Sequence, residues 1–529
     1  MGRMTGSRRQ RGDLTSMSAA EIAACVAGGD VPAREVADAF IRRIESVNGR
    51  LNAVVVPLFE SARAEAAAID RMTASRAPVG PLAGVPLTVK ESFDVQGTPA
   101  TAGLSKRKDR IAAADAHMVA RLRQAGAVLL GKTNVPSLLL STETSNPIYG
   151  RTSNPWDLQR APGGSSGGEA AILAARGSAL GLGSDLGGSV RVPAHACGIH
   201  ALRPTSRRLS MLGHCGVPLS REEIVAQPGP MARSVADLTV AMAVLAAEGR
   251  ELHDCSVPPV RWNDPSGVDV RGLRVAYFTG NGVFRPSPAI RRAVQEAAGA
   301  LAGMGTEVEE WHGPEWQEGW DICVRLMVAD GMRSARRALA GSATDAYTRA
   351  LVGPSLLPNG ALAILGWLLA AFGQHHAAQG MRRLRELSAD GYFRLVQRRD
   401  RFRDRFLAAL ETGRIDAILC PPDALAAIPH GSSRFFGDAL SYTAVFSLLG
   451  TPAGVVSLTR VREGEESDRP RSFDLVEGRA RKAEHGSAGL PLGVQVVARH
   501  WREDIVLAVM TALENHFRET PEYPREAPF

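Results

Sequence analysis

Twice before residue 190 the chain runs from a helical pattern through a glycine stop into a short apolar run. "DAHMVARLRQAG" leads into "AVLLGKTN" (127–134), and the Ala-rich stretch 169–176 leads into "ALGLGS" (179–184). Helices that feed straight into buried strands point to parallel neighbours joined by short connections. "VPLTVK" (85–90) alternates Val85, Leu87 and Val89 and reads as a strand ending at Lys90. "REVADAFIRRIES" (34–46) sets Val36, Phe40, Ile41 and Ile44 on one helical stripe. The expected fold class is therefore α/β: a central twisted mixed sheet with helices on both faces.

At 529 residues and 45% hydrophobic, the chain can bury a large core. Residues 1–18 read as a flexible tail, 19–250 as the first part of the core and 441–525 as its C-terminal part. Between them, 251–440 reads as a variable region: strand, helix, strand, then a mostly helical cap insertion. A charged, Gly- and Ser-rich stretch at 462–488 reads as a surface excursion. The net charge of +7 comes without any zinc-finger, basic-zipper or RNA-binding pattern, so nucleic acid is not an expected partner. The 6 cysteines lack metal-like spacing, which suits a reducing compartment and excludes a disulfide framework. No signal peptide is read at the N-terminus, and the longest apolar run, "ALAILGWLLAAFG" (361–373), is too short to span a bilayer. The expected location is cytoplasmic.

Three features concentrate chemistry. "APGGSSGGEAA" (161–171) places Ser165 and Ser166 between glycine pairs at a helix start, where N–H groups are positively polarised. A phosphate cradle is disfavoured, because no lysine follows and Glu169 would repel the anion. "GSDLGGSVR" then offers successive N–H groups from Leu186, Gly187, Gly188 and Ser189, and a tight turn aims them at one point, as an oxyanion needs. Lys90 ends an apolar strand, and burial there favours a neutral amine able to accept a proton. Taken singly, Gly-Gly-Ser turns are mostly structural and strand-end lysines mostly sit in water. Together, Lys90, Ser165 and Ser189 make a nucleophile activated without histidine.

"GGSSGGEAAILAARGSALGLGSDLGGSVRVPAHACGIHALRPT" resembles the amidase signature, and "GVPLTVKESFDV" resembles that family's lysine segment. "GPMARSVADL", "SYTAVFSLLGTPAGVVSLTRV" and "GLPLGVQVVARHWRED" extend the likeness to roughly 20–510, with 280–430 its weakest part. The fatty acid amide hydrolase branch is more similar than the amidotransferase A subunits. The resemblance implies one large amidase-signature domain and a hydrolase that cuts amide C–N bonds through an acyl-enzyme. It implies Ser189 as nucleophile, Ser165 as a bridging serine behind a cis peptide bond, and Lys90 as base. It also implies an oxyanion hole from the N–H groups of Leu186, Gly187, Gly188 and Ser189, with Ser166, Arg191 and Asp185 supporting the network. No metal or cofactor is implied.

Rival groups have weaker settings. Lys132 in "GKTN" is a second possible base, Cys197 lacks an oxyanion-like turn, and the histidines at 195, 200, 214 and 375–376 form no metal pattern. Leu138, Leu139 and Leu140 stand where the resembling enzymes touch an acyl chain, or they are simply core. Leu365, Trp367, Leu368, Leu369 and Phe372 mark an apolar cap segment suited to a membrane interface or a dimer contact. The expected substrate is a hydrophobic amide, such as a fatty acyl amide, and the expected assembly a homodimer with peripheral membrane contact. Smaller aryl or aliphatic amides, a glutamine amidotransferase A subunit and an inactive binding scaffold are the alternatives.

Overall fold

The computed structural model describes residues 13–216, 222–249 and 252–529. Its strands, in chain order, are β1 (Val54–Pro57), β2 (Pro86–Lys90), β3 (Val128–Thr133), β4 (Ser145–Asn146), β5 (Gly150–Arg151), β6 (Leu180–Asp185), β7 (His200–Arg203), β8 (Gln227–Ala232), β9 (Arg274–Tyr277), β10 (Glu307–Glu310), β11 (Ala417–Cys420), β12 (Ala453–Arg460) and β13 (Pro491–Ala498). Eleven of them form one sheet in the order β1-β3-β2-β6-β8-β7-β12-β13-β11-β9-β10, while β4 and β5 make a separate pair. β2 runs parallel to both β3 and β6, and β6 meets β8 antiparallel, so the sheet is mixed as expected.

Side-chain alternation sorts the sheet into two packed faces. Val275, Leu419 and Val496 join one core cluster with the helices Ala33–Leu51, Pro288–Gly303 and Glu503–Phe517. Their strand neighbours Ala276, Ile418 and Val497 join a second cluster with the helices Trp316–Met327 and Ala389–Thr412. On β2, Leu87 and Val89 enter the first cluster, which turns Thr88 and Lys90 to the opposite face. That parity places the lysine.

Three boundaries differ from the sequence reading. Of the expected tail 1–18, residues 1–12 lie outside the described residues. Leu14–Ser16 form a 3-10 turn, Ser18 caps the next helix, and Arg233 holds the carbonyls of Thr15 and Met17. Within 251–440, strands β9, β10 and β11 and the helix Pro288–Gly303 belong to the main sheet and its core, so that region is partly core; the remaining α-helices run from Trp316 to Thr412. The excursion at 462–488 carries the helix Leu475–Glu484, pinned by buried Arg469, which pairs with Glu484 at 2.8 Å and Glu477 at 2.6 Å. A paired guanidinium holds that segment together with the buried stripe Val476, Ala480 and Ala483.

Candidate active site

β2 and β6 lie side by side, with Thr88 opposite Gly181 and Val89 opposite Leu182. Lys90 therefore ends beside Ser184, just ahead of the turn that carries Ser189. Fully buried, Lys90 brings its Nζ 2.7 Å from Ser165 Oγ, 3.0 Å from Ser184 Oγ and 3.2 Å from the Ser184 carbonyl. Burial holds its ammonium far below the ordinary 10.5, at about 7, against the opposing pull of Asp185 and Glu169. The amine is thus available as a base near neutrality.

Ser165 follows a cis peptide bond from Gly164 and sits just before the helix Gly167–Ala174. Ser166 sends its N–H to the Ser189 carbonyl at 3.1 Å and its hydroxyl to the Ser184 carbonyl at 3.4 Å, tying the two loops together. Ser165 and Ser189 line one cavity of about 270 Å³, with Leu139, Leu186, Leu209 and Met211 among its apolar walls. Arg207 and Glu222, paired with each other, supply polar wall. No hydrogen bond joins Ser165 Oγ to Ser189 Oγ, so the expected relay is assembled from Lys90 to Ser165 and left open at its last step.

The turn itself is set by Asp185. Its carboxylate accepts the N–H of Gly188 at 2.8 Å and of Val190 at 3.1 Å, and takes both Nε and Nη2 of Arg191 at 3.0 and 2.9 Å. Burial alone would raise this carboxyl, but Arg191 with Arg203 more than offsets it and leaves it at about 2. One expected oxyanion donor is corrected here: the Gly188 N–H is already spent on Asp185. Among the described residues, the N–H groups of Leu186, Gly187 and Ser189 have no acceptor.

Gly188 is held at φ +132°, and a Cβ there would collide with Thr443 Oγ1. That hydroxyl donates to the Gly187 carbonyl at 2.7 Å, so Thr443 buttresses the turn from across the molecule. Arg191 extends the brace, donating to the Thr443 carbonyl, Gln495 Oε1 and Ser447 Oγ at 2.8–2.9 Å. Beneath Lys90, buried Glu169 is hydrogen-bonded by Thr88 and Thr133, and burial raises it to about 8. These partners come from far along the chain and carry no local motif.

The remaining expected residues are spread more widely. Lys132 is buried but turned to Thr98 and the Pro99 carbonyl. Cys197 is buried and its Sγ meets the Pro162 carbonyl at 3.4 Å. Of Leu138, Leu139 and Leu140, Leu139 lines the cavity. Leu138 packs instead with Leu104, Val328 and Met332 beneath the cap, with Leu140 against the same cluster. On the cap helix Asn359–Ala371 and its end, Trp367, Leu368 and Phe372 are exposed, whereas Leu365 and Leu369 are half-buried. His214, dismissed from the sequence as a metal ligand, lines the cavity next to Ser184.

Residues 35–507 match the family described as Amidase. Fatty-acid amide hydrolase 1 of Sus scrofa is 33% identical over 82% of this chain and 76% of that one. Acetamidase of Aspergillus oryzae is 30% identical over 94% of this chain and 89% of that one. The solved structure of a fatty acid amide hydrolase superposes with a TM-score of 0.83 at 27% identity, covering 95% of this chain and 85% of that one. Fold, serine loops and buried lysine thus meet in one assignment: the chain belongs to the amidase signature family and is an amidase.

Proposed function

We propose that the chain hydrolyses hydrophobic amides, with Ser189 as nucleophile, Ser165 as proton bridge and Lys90 as base. The supporting observation is a buried, readily neutral amine 2.7 Å from Ser165 under a cavity shared by both serines. In this reading Ser189 Oγ attacks the carbonyl carbon while its proton passes to Ser165 and the Ser165 proton to Lys90 Nζ. The N–H groups of Leu186, Gly187 and Ser189 hold the oxyanion. As the C–N bond breaks, the proton returns through Ser165 to the leaving nitrogen. Water then attacks the acyl-Ser189 ester by the same relay and releases the acid.

Apolar walls at Leu139, Leu186, Leu209 and Met211 favour a hydrophobic acyl group. A second reading, smaller aryl or aliphatic amides, is favoured by the cavity's volume of about 270 Å³. Rates on a series of primary amides from acetamide to oleamide separate the two. The hydrophobic reading requires kcat/KM to climb with chain length; a peak at the shortest amides replaces it with the second.

The cap completes the proposal. Among the described residues no single helix is long and apolar enough to cross a membrane. Trp367 (65% exposed), Phe372 (76%) and Phe473 (97%) nevertheless leave large apolar side chains uncovered. We assign this face to contact with a lipid surface, through which an apolar amide arrives. Co-sedimentation with phosphatidylcholine vesicles, lost in Trp367→Ser/Phe372→Ser with turnover of a soluble amide kept, supports it. Concentration-dependent dimerisation through the same residues, without vesicle binding, transfers the face to a second copy of the chain.

A further inference from the structure

Lys90 has a second neighbour in the cavity wall besides Ser165. Its Nζ is 3.0 Å from Ser184 Oγ, and that oxygen is 2.9 Å from Nε2 of His214. Ser92 Oγ approaches the same Nε2 at 2.9 Å. The ring is fixed from both sides: the Asp94 N–H donates to the Gly213 carbonyl and the Cys215 N–H to the Ser92 carbonyl, both at 2.7 Å. Phe93 packs edge-on against it, ring centroids 4.7 Å apart. Among the described residues, Nδ1 has no hydrogen-bond partner. Two hydroxyls therefore converge on one imidazole nitrogen and none on the other.

A neutral lysine amine has two N–H donors and one lone pair. To take the Ser165 proton, that lone pair must face Ser165, and the two N–H groups must find acceptors elsewhere. The Ser184 carbonyl is one acceptor. Ser184 Oγ is the other only if its own hydrogen points away from Lys90. Should that hydrogen turn to Nζ, it would occupy the lone pair and stall the base.

Building on the function proposed above, we infer that His214 is a positioning residue that sets the direction of this network. Its Nε2 accepts the Ser184 hydroxyl hydrogen, so that Ser184 Oγ accepts a Lys90 N–H and the amine lone pair is kept for Ser165. The proton of the neutral ring then sits on Nδ1, an assignment that follows from the inferred direction of the Ser184 hydroxyl. Burial, with the nearby Lys90 charge, pushes the imidazolium down to about 3, so the ring stays neutral and the direction holds through neutral pH. The charged or titratable groups acting on Lys90 are Asp185, Glu169 and His214, with Arg191 and Arg203 balancing Asp185.

The test joins kinetics to a tautomer measurement. In His214→Leu, Ser184 turns its hydrogen to Lys90. The expected result is a kcat about 10- to 100-fold lower, KM within about twofold, and the acid limb of kcat/KM moved to lower pH, because the neutral amine gains a donor. His214→Gln, whose Oε1 can accept the Ser184 hydrogen, restores most of kcat and the limb. Ser184→Ala and Ser184→Ala/His214→Leu are equally slow, since the histidine acts through the serine. Folded His214→Leu with wild-type kcat and limb, or losses that multiply in the double variant, overturns the inference. If His214→Leu does not fold, 15N NMR of histidine-labelled wild type decides, with the signal assigned by its loss in His214→Gln: a bare Nε2 supports the inference and a protonated Nε2 overturns it. Ser189→Ala separates the two levels. Retained turnover there removes the hydrolase reading, whereas a dead Ser189→Ala beside an unchanged His214→Leu removes this inference alone.

Discussion

Lys90 Nζ lies 2.7 Å from Ser165 Oγ, yet that same hydroxyl makes no hydrogen bond to Ser189. In the proposed relay the near step is built in advance and the far one is left for substrate to close, as catalytic contacts often tighten in the Michaelis complex. Ser189→Ala should lower kcat by at least about 10³-fold, and Ser165→Ala and Lys90→Ala by about 10²- to 10⁴-fold, with KM little changed. Steady-state rates on one amide check this. Wild-type-like turnover by Ser189→Ala or Lys90→Ala removes the assignment.

In the proposed mechanism the base must be neutral to work. With Lys90 held at about 7 by burial, kcat/KM should rise as pH climbs through about 7 and level off above it. A profile between pH 5 and 9 reads the limb directly. A rate that instead falls across that window would mean that the ammonium is the working form.

The same burial has a cost in stability. Between about 7 and the ordinary 10.5, an unfolded chain protonates Lys90 while the folded chain does not. Unfolding then takes up a proton, so folded stability increases with pH across this window. Lys90→Met should be inactive and yet melt a few degrees above wild type at pH 7, an advantage that narrows toward pH 10. Scanning calorimetry at several pH values measures it.

Arg191 bonds Asp185 through two nitrogens where neither side chain has any exposure. Arg191→Met leaves that carboxylate with Arg203 as its guanidinium, at 3.8 Å, and should cost about 3–5 kcal/mol in urea denaturation. Asp185→Asn/Arg191→Met should recover part of the loss, because the under-compensated charge is gone. Equal loss in single and double variants would place the damage elsewhere.

Gly188→Ala should lower both the melting temperature and kcat. A side chain there strains a backbone at φ +132° and pushes on Thr443, whose hydroxyl holds the Gly187 carbonyl. Gly187→Ala is the control, because its Cβ would meet Ala444 at an ordinary 3.7 Å. Matching melts for the two variants would remove the close approach at Gly188 as the cause.

Periodicity carried the frame. The alternation in "VPLTVK" identified β2 and left Lys90 at its end, and the glycine at 126 separated the helix His117–Gln124 from β3. Spacing alone could not bring residue 90 to residues 165 and 189; that came from likeness to a family signature. What stayed illegible depends on contacts across long separations. Thr443 reaches Gly187, Arg191 reaches Gln495, and His214 reaches Ser184, each through a single side chain with no periodic pattern. The donor lost at Gly188 was hidden for a different reason. Leu186 to Ser189 promise four aligned N–H groups, and only the fold reveals that Asp185 claims one.

Lys90, Ser165, Ser184, Ser189 and His214 all precede residue 217, on β2, β6 and the loops beside them. Among the described residues, none of those lining the cavity belongs to the helices between Trp316 and Thr412. In the function proposed above, reactivity and delivery thus fall to different stretches of polypeptide. A substitution confined to the outer helices therefore leaves every residue of the cavity wall in place.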